Sequence, residues 1–145
     1  QSLIGMEIEE EEEQTLIGFC VLGGIFGEGI DLKKDSLIGV IVVGTGLPQV
    51  GCEREILKDY FDDNGENGFD YAYLYPGMNK VLQAAGRVIR TAEDVGIIVL
   101  LDERFRQYSY RRMFPREWEQ VVPVTVDTVA KKVERFWDAW LWQQR

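Results

Sequence analysis

Three short apolar runs constrain the fold of this chain more than any other feature. They are Phe19 to Gly24, Val40 to Gly44 and Ile97 to Asp102, and each is mostly aliphatic and ends at a glycine or an aspartate. Apolar runs without polar alternation are typical of strands that are buried on both faces, as in a parallel sheet flanked by helices. The sequence therefore predicts an α/β fold with a mostly parallel sheet.

Two segments between the second and third runs have the spacing of helices. The first covers Glu53 to Phe61 and the second covers Met78 to Arg90, with Pro76 near its first turn. A loop rich in turn-forming residues, Asp62 to Gly68, separates them. The predicted order is therefore strand, helix, helix, strand.

A strongly amphipathic helix is predicted over residues 127–142. Its apolar residues recur at helical spacing, and they are Val129, Val133, Phe136, Trp137, Trp140 and Leu141. Asp127 is the expected N-cap, because a short carboxylate accepts backbone amides of a first helical turn. The tryptophans are expected to pack in the core or against a neighbouring domain, and they are Trp137, Trp140 and Trp142.

Length and charge limit the classes of protein to which the chain can belong. Its 145 residues predict a single domain over 1–145 with one core. The net charge of −9 argues against a generally basic surface for nucleic acid, although the acidic run Glu9 to Glu13 supplies part of it. We expect that run to be a solvated helix or loop rather than a recognition tail. No apolar run approaches the ~20 residues of a membrane span, so a soluble chain with no membrane partner is expected.

The cysteines and the first residue bear on the cellular setting. Cys20 and Cys52 fit neither a disulfide framework nor a four-cysteine metal or iron–sulfur site, so we expect no metal site or cluster in this chain. A reduced, cytoplasmic setting is the expectation. Because the chain begins with Gln1 rather than methionine, an excised fragment of a longer protein is also expected.

A polar stripe is predicted on the helix that ends at Arg90. At 100° per residue its members fall on one side, opposite apolar residues, and they are Gln83, Gly86, Arg87 and Arg90. Two guanidinium groups beside a bare backbone suit a polyanion such as a triphosphate. The alternative is a pair of solvated arginines in surface salt bridges, worth ~0–1 kcal/mol each. That alternative does not explain Gly86, which costs about 1 kcal/mol in a helix interior.

A glycine-rich segment follows the first apolar run. Between Gly23 and Leu32 the chain has four glycines and then presents Glu28 and Asp31. Glycines allow close approach to a ligand, and the carboxylates can hold a cation-linked group, a ribose hydroxyl or an arginine. The spacing matches neither a Walker A loop nor GxGxxG. The residues alone leave a ligand site and a plain strand-to-loop turn both open.

These segments together resemble a known family. Gln83-x-x-Gly86-Arg87-x-x-Arg90, at 83–90, looks like motif VI of superfamily 2 helicases, and residues 23–32 resemble motif V of the DinG/XPD branch. Further matches follow the family's order, and they are Val42 to Pro48, Tyr75-Pro76, Asp94-x-Gly96, Leu101 to Phe105 with Tyr108, and Pro115-x-x-Trp118. The resemblance covers about two-thirds of the chain, from Phe19 to Trp118.

The resemblance implies the C-terminal RecA-like motor domain of an ATP-dependent DNA helicase of the bacterial DinG-like type, with its opening strand and helix truncated. In that family ATP with Mg²⁺ is bound between two RecA-like domains. By position, Arg90 is the arginine finger on the γ-phosphate, Arg87 is its neighbour and Gln83 senses the nucleotide. The remaining nucleotide-site residues are Gly86, Glu28, Gly29, Asp31 and Asp94, of which Glu28, Gly29 and Asp31 link the nucleotide to the DNA track.

The residues of the first motor domain of this family do not occur in the chain. It has no Walker A lysine, no acidic box and no cysteine set for an iron–sulfur cluster. The expected partners are therefore the N-terminal motor domain of the same protein and single-stranded DNA, and the chain alone is expected to be inactive. The alternatives are a non-catalytic RecA-like interaction module and, more weakly, part of a DinG-type exonuclease.

The segment from Arg104 to Trp118 interleaves five arginines with aromatic residues. Such segments can contact phosphates and stack on single-strand bases. Arg111 and Arg112 are the candidate DNA contacts. The alternative is that the aromatic rings close the end of the sheet while the arginines extend to solvent.

Overall fold

The computed structural model describes residues 16–24, 37–91, 93–118 and 120–143. In chain order they form strand β1 (Gly39–Val43), helix α1 (Cys52–Asp63), a π-helical turn (Asp70–Leu74), helix α2 (Tyr75–Ala85), strand β2 (Ile97–Leu101), a 3-10 turn (Glu103–Arg106), helix α3 (Tyr108–Arg111) and helix α4 (Val126–Gln143). The predicted order of strand, helix, helix and strand is confirmed. The bounds of α1 contain the predicted segment Glu53 to Phe61.

The sheet is a parallel pair of strands. β1 and β2 run in register from Gly39 opposite Ile97 to Val43 opposite Leu101. Parallel strands cannot be joined by a tight hairpin, and here α1 and α2 make the crossover between them. The α/β prediction is confirmed in this part, but a fuller parallel sheet is not present among the described residues.

The first apolar run does not form the predicted strand. Residues 19–24 are irregular and end in a turn, in which the amide of Gly24 donates to the carbonyl of Val21 at 2.9 Å. Phe19 is 97% exposed, whereas Leu22 packs against the core. An apolar run becomes a strand only where a neighbouring strand pairs with it, and the described residues place none beside this one.

The core lies on one face of the sheet. Its buried cluster consists of Val42, Leu74, Met78, Val81, Phe105 and Tyr110, with Val40 and Leu100 packed against it. Burying such a side chain contributes about 1.5–3 kcal/mol. The opposite face is open in the described residues, since Ile41 is 66% exposed and Val43 is 72% exposed. The prediction that the strands are buried on both faces is therefore wrong for these residues.

Helix α2 continues directly from the π-helical turn, so its first residues are set by packing. Leu74 in that turn is 1% exposed, and Pro76 lies in the first turn of α2 as predicted. Helix α1 packs beside the same turn, where the guanidinium of Arg54 donates to the carbonyl of Ala72 at 3.3 Å. The hydroxyl of Tyr73 donates to the carboxylate of Glu55. These contacts join α1 to the π-helical turn from which α2 continues.

Helix α2 ends at Ala85, and the prediction that it extends to Arg90 is wrong. Gly86 follows as the C-cap, and its amide bonds to the carbonyl of Leu82 at 2.8 Å. Val88, which is 5% exposed, turns into the core. The amides of Arg90 and Thr91 donate to Asp94 instead of continuing the helical pattern, so the chain leaves the helix before both arginines of the motif.

The C-terminal helix α4 agrees with the predicted helix over 127–142, but its cap differs. Asp127 lies inside the first turn rather than at the N-cap. The amide of Thr125 instead donates to Oγ1 of Thr128 at 2.9 Å, just before the helix. Trp142 is 80% exposed and no residue of α4 is buried, so its tryptophans are not in the core of the described residues. Packing against a neighbouring domain stays a prediction.

In the described part of the chain, no helix is long and apolar enough to cross a membrane. The acidic run Glu9 to Glu13 lies outside the described residues, as do Glu28, Gly29 and Asp31.

Candidate functional site

The four motif VI residues do not share one helical face. Gln83 is exposed on the last turn of α2, whereas Gly86, Arg87 and Arg90 lie in the segment that follows the helix. Arg87 is half-buried and Arg90 is exposed. The predicted stripe is therefore corrected to a helix end plus a connecting segment, which we call the arginine turn and define as residues 86–96.

A single carboxylate closes the middle of the arginine turn. Oδ2 of Asp94 accepts the backbone amide of Arg90 at 2.8 Å and that of Thr91 at 2.7 Å. The amide of Asp94 donates back to the carbonyl of Thr91 at 3.3 Å. The amides of Arg90 and Thr91 lower the pKa of the Asp94 carboxyl below its ordinary value, because they stabilise its charged form. The carboxylate is therefore ionised at neutral pH.

The far end of the arginine turn is held against the core. A Cβ on Gly96 would lie 2.2 Å from Cγ1 of Val88 and 3.0 Å from the carbonyl oxygen of Ile38, so only glycine fits there. The amide of Ile97 donates to the carbonyl of Ile38 at 3.0 Å, where β2 begins to pair. The turn thus has a buried anchor at Val88 and a close backbone contact at Gly96.

The described start of the glycine-rich segment contacts helix α2. Gly23 has a φ of +80°, and a Cβ built on it would lie 3.1 Å from Cδ of Lys80. Lys80 is on α2, one turn before Gln83. The structure therefore brings the beginning of the segment that resembles motif V beside the helix that leads into motif VI. Its carboxylate residues Glu28 and Asp31 are among the residues that are not described.

An ion pair follows β2 at the carboxyl end of the sheet. Oδ1 of Asp102 accepts the amide and Nε of Arg104, both at 2.9 Å, and Oδ2 pairs with Nη2 at 2.7 Å. This fork-to-fork geometry is the strong form of an arginine–carboxylate contact. The Arg104 guanidinium lowers the pKa of the Asp102 carboxyl. The pair caps the 3-10 turn that carries Phe105 into the core.

The two candidate DNA contacts have different surroundings. Nη2 of Arg112 pairs with Oδ2 of Asp70 at 2.5 Å, and Nε of Arg112 donates to the carbonyl of Ser109 at 3.3 Å. The side chain of Asp70 is only 12% exposed, so this pair ties the end of α3 to the π-helical turn. Arg111 is exposed on α3. A role in DNA binding stays a prediction for both arginines.

The aromatic residues among these arginines are divided between core and surface. Phe105 and Tyr110 are each 5% exposed and face each other edge-on, with ring centroids 6.2 Å apart. Tyr108 is 82% exposed. The alternative in which aromatic rings close the end of the sheet therefore holds for Phe105 and Tyr110.

The described residues contain no group of three or more His, Cys, Asp or Glu side chains that could hold a metal ion.

Two contacts of the candidate site were not predicted from the sequence. The pairing of Arg112 with Asp70 joins residues 42 positions apart, which spacing cannot reveal. The closure by Asp94 did leave a signal, since an Asp-x-Gly sequence just before a strand is typical of a turn.

Comparison with known proteins gives one family. The sequence profile of the helicase C-terminal domain family matches residues 3–121. The chain is 26% identical over 149 residues to a protein of Methanocaldococcus jannaschii named as a probable ATP-dependent helicase, covering 94% of this chain and 23% of that protein.

Two further relatives carry related names. A regulator of telomere elongation helicase 1 homolog of Caenorhabditis elegans is 30% identical over 140 residues, covering 89% of this chain and 14% of the relative. The ATP-dependent DNA helicase DinG of Photobacterium profundum is 35% identical over 89 residues, covering 60% of this chain and 13% of the relative. The chain thus spans between 13% and 23% of the length of the three relatives.

Proposed function

Because this chain belongs to the helicase C-terminal domain family, as the C-terminal domain of a DinG/XPD-type helicase, we propose that it supplies arginines to ATP bound on a separate motor domain. In this proposal the chain is the C-terminal motor half of an ATP-dependent DNA helicase. Hydrolysis at the interface between the two halves then drives movement along single-stranded DNA. ATP enters with Mg²⁺, and both are held by the N-terminal motor domain.

The observation that carries the proposal is the construction of the arginine turn. Arg90 is exposed, yet its backbone belongs to a segment that is anchored at Val88 and Gly96 and closed by Asp94. A guanidinium on an ordered backbone can stabilise the negative charge that develops during phosphoryl transfer, because the protein then needs little rearrangement to place it. An arginine finger contributes about 10³–10⁵ in rate.

Gln83 and Arg87 complete the proposed nucleotide face. Gln83 sits on α2, whose opposite side carries the buried residues Met78 and Val81, so its backbone is held by the core. Arg87 is half-buried immediately after Gly86. In the proposal, Gln83 senses the nucleotide and Arg87 shares the phosphate charge with Arg90.

The link to DNA is proposed to run through the segment that resembles motif V. Its described start contacts Lys80 on α2, which favours a mechanical connection between this segment and the arginine turn. Glu28, Gly29 and Asp31 are the proposed coupling residues. Arg111 is the better candidate for a phosphate contact, since the guanidinium of Arg112 is engaged with Asp70.

The test is Arg90→Ala in the helicase polypeptide that contains this chain and its N-terminal motor domain. We expect ATP binding, measured with a fluorescent ATP analogue, to change less than about twofold, while DNA-stimulated hydrolysis falls about 10³-fold or more. Arg135→Ala, at an exposed arginine on α4 outside both the motif and the candidate DNA segment, is the matched control. Unchanged turnover in Arg90→Ala would contradict the arginine-finger assignment.

The 145-residue chain alone is proposed to lack ATP hydrolysis, because it contains no Walker A lysine or acidic box. Robust hydrolysis by a purified sample, lost again in Arg90→Ala, would refute this proposal.

The absence of a Walker A lysine and an acidic box from the chain also favours a second candidate, a non-catalytic interaction module with a RecA-like fold. A gene that encodes a Gly-Lys-Thr loop upstream of this chain supports the motor, whereas a natural start codon at this position supports the module.

A further inference from the structure

Asp94 has an unusual position in the arginine turn. It resembles a nucleotide-site residue of the family, but its carboxylate binds backbone amides of its own turn and also feels the positive charge of Arg90. Oδ2 receives two consecutive amides, those of Arg90 and Thr91, at 2.8 Å and 2.7 Å. The amide of Glu93 donates to Oγ1 of Thr91 at 3.3 Å, so the residues around Asp94 form a compact local network.

This network fills the gap between the two anchors of the turn. Val88 is buried at one end and Gly96 is pressed against it at the other. The residues between them have no buried side chain among those that the structure describes. Their backbone is therefore held by hydrogen bonds rather than by packing. Of the two backbone amides that donate to Asp94, one belongs to Arg90 and the other to the next residue, Thr91.

We propose that Asp94 is a positioning residue for Arg90, and that it acts through the Arg90 backbone without touching the nucleotide. The proposal rests on the proposed function, in which Arg90 reaches a triphosphate. A carboxylate placed against a triphosphate would repel it, whereas a carboxylate that binds the amides of Arg90 and Thr91 orders the segment from which the guanidinium extends.

The negative charge of Asp94 strengthens the hydrogen bonds that hold the backbone of Arg90. Hydrogen bonds to an ionised acceptor are about twice as strong as bonds between neutral groups. Asp94→Asn keeps the size of the side chain and one acceptor oxygen but loses the charge, and Asp94→Ala removes the acceptor. Turnover should therefore fall in the order parent, Asp94→Asn, Asp94→Ala.

The experiment measures ATP hydrolysis of these variants in the helicase polypeptide that contains this chain and its N-terminal motor domain, with saturating single-stranded DNA. A misplacement of about 1 Å costs on the order of 10²-fold in rate, so we expect Asp94→Ala to lower kcat by about 10- to 100-fold. The KM for ATP should change less than about threefold, because the other motor domain holds the nucleotide. Glu93→Gln, at the neighbouring exposed carboxylate, is the matched control and should keep the parent kcat.

A double-mutant cycle separates positioning from a general structural role. In the Arg90→Ala background, followed by single-turnover hydrolysis, Asp94→Ala should cause no further loss, because its effect passes through Arg90. The thermal unfolding midpoint of Asp94→Asn should match that of the parent, which keeps the test valid if Asp94→Ala folds poorly.

Three results would overturn the inference. They are an unchanged kcat in both Asp94 variants, a raised KM with unchanged kcat, which indicates direct nucleotide contact, and an equal loss in the presence and absence of Arg90. Failure of the proposed function looks different, since Arg90→Ala itself would then keep full turnover. A loss in Arg90→Ala together with normal Asp94 variants rejects only the positioning role.

Discussion

The two segments that flank β2 use an aspartate and an arginine in opposite ways. Before the strand, Asp94 binds the backbone amide of Arg90. After the strand, Asp102 binds the guanidinium of Arg104 through both carboxylate oxygens. The first aspartate binds the backbone of the chain at its arginine, whereas the second binds the guanidinium itself through both oxygens. The same pair of residue types therefore orders a backbone turn in one segment and forms a side-chain ion pair in the other.

Burial follows the same division. The segment after β2 sends Phe105 and Tyr110 into the core and is tied to the π-helical turn by Arg112. The arginine turn buries Val88, and its motif arginines are half-buried or exposed. We therefore expect substitutions after β2 to change stability and substitutions in the arginine turn to change catalysis.

The largest expected effect is the loss of stability in Phe105→Ala. Phe105 is 5% exposed and belongs to the core cluster, so the free energy of unfolding should fall by about 3–5 kcal/mol. Urea unfolding of the chain measures it. Tyr108→Ala, at a ring that is 82% exposed, is the matched control and should stay within about 0.5 kcal/mol of the parent. Equal losses in the two variants would contradict the assignment of Phe105 to the core and of Tyr108 to the surface.

Next comes Arg112→Ala, which leaves the carboxylate of Asp70 without its ion-pair partner. We expect a loss of about 1–3 kcal/mol in the free energy of unfolding, because Asp70 is largely buried. Arg111→Ala should change stability by less than about 0.5 kcal/mol.

Arg111→Ala and Arg112→Ala also test the proposal that Arg111 contacts a DNA phosphate. If Arg111 contacts a phosphate, Arg111→Ala weakens single-stranded DNA binding and reduces the salt dependence of the affinity by about one unit of slope. The measurement is a salt titration of DNA affinity in the helicase polypeptide. A salt dependence equal to that of the parent would remove Arg111 from the DNA interface.

A smaller effect is expected for the ion pair after β2. Arg104 is 42% exposed, so Arg104→Ala should cost only about 0–1 kcal/mol of stability. The folded pKa of Asp102 lies below its unfolded value of ~3.9, so the contribution is complete above that pH and is lost as the pH falls through the folded value. Urea unfolding between pH 6 and pH 2 tests this, and Asp102→Asn should lose less stability on acidification than the parent. A steeper loss in Asp102→Asn would contradict the assigned direction.

The smallest expected effect on stability is that of Arg90→Ala. Arg90 is exposed, so interactions of its guanidinium are worth little, and its backbone amide still donates to Asp94 after the substitution. The free energy of unfolding should therefore change by less than about 0.5 kcal/mol. The measurement is urea unfolding of the variant beside the parent. A loss comparable to that of Arg112→Ala would mean that the arginine turn is a structural element like the segment after β2.

Much of the fold was predictable because its signals are local. Strands β1 and β2 occupy the second and third apolar runs, and α1 and α4 lie within a residue or two of their predicted bounds. The first run, Phe19 to Gly24, was predicted wrongly because strand formation depends on a pairing partner elsewhere in the chain. The ordered motifs identified the family, which the sequence profile confirms.

The candidate site was predictable in its residues but not in its shape. Helical spacing placed Gln83, Arg87 and Arg90 on one face, since periodicity assumes that a helix continues. The structure ends the helix at Ala85, with Gly86 as its C-cap, and Asp94 takes the amides of Arg90 and Thr91 that a longer helix would use. Gly86 is a residue type typical of helix ends, but the contact with Asp94 depends on a residue beyond the helix, so the periodicity within it does not reveal that contact.

The order of strands and helices, the family and the identities of the motif arginines could thus be predicted from the sequence, because all of these depend on local spacing and residue type. The tertiary structure was needed to show which arginine pairs with a carboxylate that stabilises the fold and which belongs to a hydrogen-bonded turn. That division depends on which hydrogen bonds each carboxylate accepts: Asp70 and Asp102 accept from guanidinium groups, and Asp94 accepts from the backbone amides of Arg90 and Thr91. Such contacts are set by the packing of the chain around β2.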